Sequence, residues 1–406
     1  MKKKILFVCY GAGHVNMLVP IIKRYIKDPN YDVVVLGLTT ASPVLKANGI
    51  SHLGFRDLLD ENLDKHALEI GQEMAADIPP GGVVDHSETV AYLGLSYADL
   101  EERLGKDRAR AEFESKGRQA FLPTTVLARV FKKYQPDLLV STNSPRAERA
   151  AFNVAKDYGV RSVCIVGLFA MHEVAWIGEP DFCSKVCVIS DSVKQFMVGA
   201  GRLAEDVEVT GNPALDRLAR PTLAEEGERF RQKNGWMDKR VVLWASQPEP
   251  EVHPFTGVKA DPTLPKKVQR ELLDFCEKRE DLFLVVRYHP GESISEKDYP
   301  KGAYISTRDE DLAVLLKSVD VVVTMTSTVG LEAVLLGKPL VTIDTSVFRD
   351  DAPYSSMGIS KGVESLELLG DSIDKVLDGT WQPSEELPPV GFAAERISTI
   401  INDLAK

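Results

Sequence analysis

The sequence predicts an α/β chain built on parallel sheets, from three observations. Short Val- and Ile-rich runs recur at 5–10, 33–38, 137–141, 162–168, 185–189, 241–245, 282–288, 320–324 and 340–343. They show little polar alternation, as strands buried on both faces do. Amphipathic helical stretches separate them and supply the crossovers that parallel strands need. The series also pauses twice, which predicts two doubly wound sheets. Two such sheets facing one another would open a ligand cleft at the carboxyl ends of their strands.

The elements follow in order. Lys2 to Lys4 run straight into Ile5–Tyr10, an apolar stretch too short for a signal segment or a membrane span. A turn Gly11-Ala12-Gly13-His14 follows. Asn16 is the expected cap of a helix with Leu18, Ile21, Ile22, Tyr25 and Ile26 on its apolar face. Residues 56–135 lack clear strands and are rich in charge and helix formers, so they read as a helical insertion in the first domain. Strands resume at 137 and stop near Gly211-Asn212-Pro213. That break sets the expected domains at 1–212, on the acceptor side, and 213–406, with a second strand series from Val241. Ile397, Ile400, Ile401 and Leu404 predict an amphipathic terminal helix, counted with the second domain.

Composition narrows the function. The 406 residues carry 49 Lys and Arg against 60 Asp and Glu, a net charge of −11, with no long basic run. Nucleic acid is therefore not an expected partner, and any anion must meet a local site. The five cysteines form no CxxC pair and lack the neighbours of a zinc set, so they read as reduced thiols. A cytoplasmic location is expected; peripheral membrane contact and a homodimer are compatible with it.

Chemistry concentrates at strand ends. In the first half, Gly11 and Gly13 permit close backbone approach at a helix N-terminus, whose amides attract anionic oxygens. The third glycine of a dinucleotide fingerprint is missing, so no nicotinamide cofactor is expected. His14 reads either as a general base or as a hydrogen-bonded shaper of the turn. His172 and Glu173, at another strand end, are the alternatives for that base. In the second half, Ser246-Gln247-Pro248 and Arg287-Tyr288-His289-Pro290 each place polar groups just before a proline. Gln247, Arg287 and His289 suit contacts to phosphate or a base edge, or else they satisfy turns; His253-Pro254 is a weaker case. Asp320 to Val341 predicts a strand, a hydroxyl turn and a short helix closed by Gly337 and Pro339. Ser327 and Thr328 form a phosphate cradle there, and Glu332, one turn inside, reads either as an ordinary solvated helix residue or as an acceptor for ribose hydroxyls, the apolar neighbours Leu331, Ala333 and Val334 favouring the second. No acidic pair is placed for a divalent metal, so no metal is expected.

These segments resemble the GT-B superfamily of nucleotide-sugar enzymes. Gly13-His14-Val15 through Pro20 is similar to the glycine-His loop of GT-B transferases, including those acting on lipid-linked precursors. Val209 to Asp216 resembles the interdomain segment of non-hydrolysing UDP-N-acetylglucosamine 2-epimerases and lipid A disaccharide synthase. Ser327 to Pro339 resembles their donor-nucleotide site. The resemblance implies two facing Rossmann-like domains, with Ser327 and Thr328 on phosphate and Glu332 on ribose. Gly11, Gly13, Asn212, Gln247, Arg287 and His289 are expected as further nucleotide-sugar contacts. Gln247-Pro248, His289-Pro290 and Ser327-Thr328 resemble signatures of bacterial capsule transferases that use CMP-activated acidic sugars; CDP-glycerol-type transferases have similar pairs. The epimerases' His-Arg-Arg-Glu-Asn and Glu-Ala-Gly-Leu-Arg segments are replaced here by Ser246 to Glu251 and Gly167 to Glu173. The expectation is a glycosyltransferase that takes a UDP- or CMP-linked donor and a glycan, lipid-linked or small-molecule acceptor. A 2-epimerase-like enzyme and a non-catalytic sugar-nucleotide-binding protein remain the alternatives.

Overall fold

A computed structural model describes residues 2–406 apart from Glu61, Pro80 and Ser293. The chain divides into two compact units, Met1–Asp216 with Phe392–Lys406, and Arg217–Gly391.

The first unit holds strands β1 (Lys3–Cys9), β2 (Tyr31–Gly37), β3 (Leu138–Thr142), β4 (Arg161–Ile165), β5 (Lys185–Val188) and β6 (Val207–Val209). They form one six-stranded sheet in the order β2-β1-β3-β4-β5-β6, and every pairing is parallel. Ile5 to Cys9 and all of β3 are buried, as interior strands covered on both faces must be. Helices α1 (Ala12–Ile26), α2 (Ala41–Ala47), α7 (Ala147–Asp157), α8 (Val174–Ile177) and α9 (Asp191–Gly199) lie between strands. Gly11, not Asn16, takes the N-cap position of α1, because the chain turns helical directly after the strand and leaves Asn16 exposed within the helix. Leu18, Ile21, Ile22 and Tyr25 bury against β1, while Ile26 is 51% exposed at the helix end.

Residues 56–135 contain α3 (Lys65–Ala75), α4 (His86–Leu104), α5 (Lys106–Lys116) and α6 (Thr124–Tyr134), without a strand among the described residues. Tyr92 of α4 anchors this insertion, with its ring 5.4 Å from Tyr10, 5.2 Å from Phe55 and 5.7 Å from Phe121.

The second unit begins with α10 (Leu223–Lys233). Its strands are β7 (Arg240–Ala245), β8 (Leu282–Arg287), β9 (Tyr304–Ser306), β10 (Val321–Thr324), β11 (Leu340–Ile343) and β12 (Lys361–Val363). These form a parallel sheet in the order β12-β11-β10-β7-β8-β9. Helices α11 (Leu264–Glu277), α12 (Leu312–Ser318), α13 (Thr328–Leu335) and α14 (Leu369–Leu377) complete it. Trp244, Val286, Val323 and Val341 share its core with Val268 and Leu272 of α11 and Ile373 of α14.

The terminal helix α15 (Ala393–Leu404) belongs to the first unit, not to the second as expected from its position in the chain. Its apolar stripe finds the α1 side of the first core: Ile397 and Ile401 are fully buried there. The Tyr25 hydroxyl donates to the Ser398 carbonyl at 3.0 Å and meets Asn402 at 2.8 Å. Asp216 accepts from the Ala393 and Ala394 amides at the helix start.

Candidate functional site

Each sheet reverses its strand order once, and ligands of open α/β sheets bind outside the carboxyl ends at such a point. In the first unit β2 and β3 flank β1 on opposite sides, so the switch point lies beyond β1 and β3. The glycine turn sits there. Gly11 has an ordinary φ of −114°. A Cβ on Gly11 would meet nothing closer than His14 at 3.9 Å, and one on Gly13 nothing within 4 Å. Neither strain nor packing demands glycine, and the turn faces open space. His14 follows on the first turn of α1, with a buried Nδ1 that has no hydrogen-bond partner. Burial lowers its pKa, so the neutral ring, able to accept a proton, dominates at pH 7.

Beneath this turn lies a residue the sequence reading missed. Glu148, in the first turn of α7, is completely buried, and its Oε1 accepts from the Tyr10 amide at 2.7 Å. Its Oε2 has no partner of hydrogen-bond geometry. Burial pushes its pKa up to about 7, against the opposing pull of nearby backbone amides, the Ser144 hydroxyl and Arg146. Arg146 stacks 4.5 Å over the Tyr10 ring. A signal for Glu148 existed: Ala151, Phe152 and Ala155, three, four and seven positions on, are all buried and mark its helix face as internal.

Asn212 lies elsewhere in the unit. Its Nδ2 donates to the Gly167 carbonyl at 2.8 Å and its Oδ1 accepts from Ala214 at 2.9 Å, tying the exit from β6 to the end of β4. His172 is exposed beyond β4, and Glu173 precedes α8.

In the second unit β8 and β10 flank β7, so the switch point lies beyond β7 and β10. Gln247 spans it: its Nε2 donates to the Thr326 hydroxyl at 2.8 Å and its Oε1 accepts from the Thr326 amide at 3.0 Å. Ser327 caps α13, its Oγ accepting from the Val329 amide at 3.3 Å, and Tyr354 donates to its carbonyl at 3.0 Å. Thr328 is exposed, so the helix begins at the surface. Glu332 is only 8% exposed between buried Leu331 and Ala333, and its Oε2 accepts from Arg217 at 2.6 Å. Arg217, another residue without a sequence signal, keeps about half of its side chain in solvent.

At the end of β8, Arg287 donates to the Ser306 hydroxyl and to the Thr307 and Glu310 carbonyls, so its guanidinium is spent on the segment after β9. His289 is exposed. Its Nδ1 accepts from Gly291, and its own amide donates to Glu292, which also accepts from Ser246. His253 is buried, contacts Asp351 at 3.0 Å and accepts from the Phe255 and Thr256 amides, which is a loop-holding role. The structure thus brings Gln247, Ser327, Thr328 and Glu332 together, with Arg287 and His289 one strand away. Gly11, Gly13 and His14 form a separate group in the first unit.

Among the described residues no group of three His, Cys, Asp or Glu could hold a metal ion, and no helix is long and apolar enough to cross a membrane.

Residues 280–361 match a family model described as capsule polysaccharide biosynthesis protein. No curated protein sequence matches. Among solved structures, the UDP-GlcNAc 2-epimerase from Neisseria meningitidis bound to UDP-GlcNAc is similar with a TM-score of 0.59 at 14% identity, over 98% of this chain and 100% of that one. The UDP-GlcNAc 2-epimerase from Methanocaldococcus jannaschii gives 0.58 at 16% identity, over 99% and 100%. MurG from Acinetobacter baumannii gives 0.55 at 13%, over 99% of each chain. The chain has the GT-B fold, with a Rossmann-like sheet in each unit.

Proposed function

We propose that the chain is a glycosyltransferase that moves a sugar from a UDP- or CMP-linked donor to a glycan, lipid-linked or small-molecule acceptor. One observation carries this reading. At the β7/β10 switch point a nearly buried carboxylate, Glu332, sits one turn inside a helix whose N-terminus opens to solvent at Thr328. Helix amides attract phosphate oxygens, and a carboxylate one turn further accepts from ribose hydroxyls. The stretch lies inside the segment that matches the capsule-biosynthesis model. In this reading His14 takes the proton of the acceptor hydroxyl, and helix amides offset charge on the departing nucleotide.

The similarity to 2-epimerases favours a second reading, in which one nucleotide sugar is converted without an acceptor. The Ser246-Gln247-Pro248 turn, whose glutamine holds Thr326, supports the transferase instead. A thermal-shift screen of UDP, CMP, CDP, GDP and dTDP and their sugars tests the nucleotide site. A specific binder at a hundredfold excess over Kd stabilises by about 2.7 kcal/mol. Turnover of a bound nucleotide sugar alone would favour the epimerase, and absence of any nucleotide-dependent shift would defeat both readings.

A further inference from the structure

One cavity in the Arg217–Gly391 unit, of about 680 Å³, opens beyond β11 and β12, but its Lys375 pairs with Asp371 and its Asp344 is hydrogen-bonded. A cavity of about 600 Å³ between the ends of β7 and β8 and the N-terminal half of α11 is different. Its acids are committed: Glu249 accepts from the Ser346 hydroxyl and the Val347 amide, and Glu292 from Ser246 and the His289 amide. Its bases are not. Lys266 and Arg270, four residues apart and so on one face of α11, form no ion pair or hydrogen bond with any described residue. Their neighbours do: Lys267 pairs with Asp261, and Arg279 with Asp281 and Asp374. One wall is the ring of Tyr288, stacked on Tyr299 at 5.8 Å, beside Pro248 and Pro265.

Two unspent cations lining one cavity with an aromatic ring and prolines suit a ring that bears an anion. We propose that this cavity binds an anionic saccharide, with a carboxylate or phosphate on Lys266 and Arg270 and a sugar face against Tyr288. The saccharide class rests on the nucleotide-sugar reading; the anion preference rests on the cavity alone.

The same anionic chemistry could come from the phosphates of a donor nucleotide, so the test separates the two sources. Calorimetry on the full chain would compare trigalacturonate with neutral maltotriose, and with UDP and CMP, for the wild type and the Lys266→Gln/Arg270→Gln variant. Trigalacturonate is expected to bind at least about tenfold tighter than maltotriose and to weaken steeply between about 0.05 and 0.5 M salt. The variant should erase that preference and leave UDP and CMP binding unchanged. Equal binding of the two trisaccharides, no binding of either, or a preference retained in the variant would overturn the proposal. A loss confined to nucleotide affinity would also overturn it, by assigning the cations to the donor. Glu332→Ala tests the nucleotide site separately, so failure there leaves the trigalacturonate result readable.

Discussion

Glu332 and Glu148 are both carboxylates removed from solvent, yet they are stabilised differently and predict different behaviour. Glu332 has a guanidinium partner in Arg217. If a ribose shares its carboxylate, Glu332→Ala should weaken UDP or CMP binding by about 1.5–3 kcal/mol, for the free nucleotide as well as the sugar-linked form. Unchanged affinity in calorimetry would remove the ribose role. Glu148 accepts from the Tyr10 amide and has no ion pair among the described residues, so burial outweighs its nearby donors and its pKa rises from 4.5 to about 7. A carboxylate raised in this way takes up protons on folding, so its contribution falls as pH climbs from 4.5 through about 7, then stays flat. Glu148→Gln keeps an acceptor for Tyr10 and removes the titration. Relative to wild type it should gain up to about 3 kcal/mol between about pH 5 and pH 8 in urea denaturation, and a pH-independent difference would count against this account. His14→Ala should cost on the order of a hundredfold in turnover at unchanged nucleotide affinity. With the His14 pKa lowered from 6.5, the wild-type rate should decline only below that value, and a decline setting in above it would point to another base. Residue types at strand ends were legible in the sequence because glycine, proline and hydroxyl side chains punctuate turns. Partners were not. Arg217 lies 115 positions from Glu332, and Arg287 turned out to be bonded to the segment after β9.

At the scale of elements, the interior strands were all legible as apolar runs. The strands that escaped are β6, β9 and β12, each of three residues at a sheet edge. Three residues are too few to make an apolar run, whereas β2, also at a sheet edge, is seven residues long and was marked by the run at 33–38. The insertion was legible as helical, but its packing was not, because it depends on close approach rather than on periodicity. A Cβ at Gly94 of α4 would lie 1.9 Å from the Ala67 carbonyl oxygen of α3, and one at Gly71 would lie 2.2 Å from the Val90 oxygen. The obstructing atoms are backbone and cannot rotate away, so the two helices must separate to admit a methyl group. Gly94→Ala gains up to about 1 kcal/mol of helix propensity. Overpacking should outweigh that gain, for a net loss of about 1–3 kcal/mol. Urea midpoints check this, and a stabilised Gly94→Ala variant would mean that α3 and α4 do not touch there. Since the Tyr92 ring of α4 packs against Tyr10 beside the glycine turn, the same substitution should speed amide exchange at residues 10–14.

For the molecule as a whole, the terminal helix makes the fold of one unit depend on residues that follow the other in the chain. Amphipathic spacing in α15 showed that one face would be buried but not which sheet would cover it, because both sheets offer apolar flanks. The structure resolves this through polar contacts as well as packing. Asp216 receives the first amides of α15, Arg396 donates to the Thr210 carbonyl, and Tyr25 reaches Ser398 and Asn402. Ile401 is fully buried in the first core with Ile397. Ile401→Ala therefore removes apolar volume from the first unit alone, at a cost of about 2–5 kcal/mol. Hydrogen exchange by mass spectrometry resolves where the loss falls, since local opening reports the stability of each cooperative part. Amides of β1, α1 and β3 should exchange faster in the variant, while those of β7, β10 and α13 keep their wild-type rates. UDP or CMP affinity should also hold, because Glu332 and the α13 N-terminus lie in the other unit. Faster exchange in β7 and β10, with β1 unchanged, would place the helix's stabilising contacts on the second sheet and contradict this division of the chain.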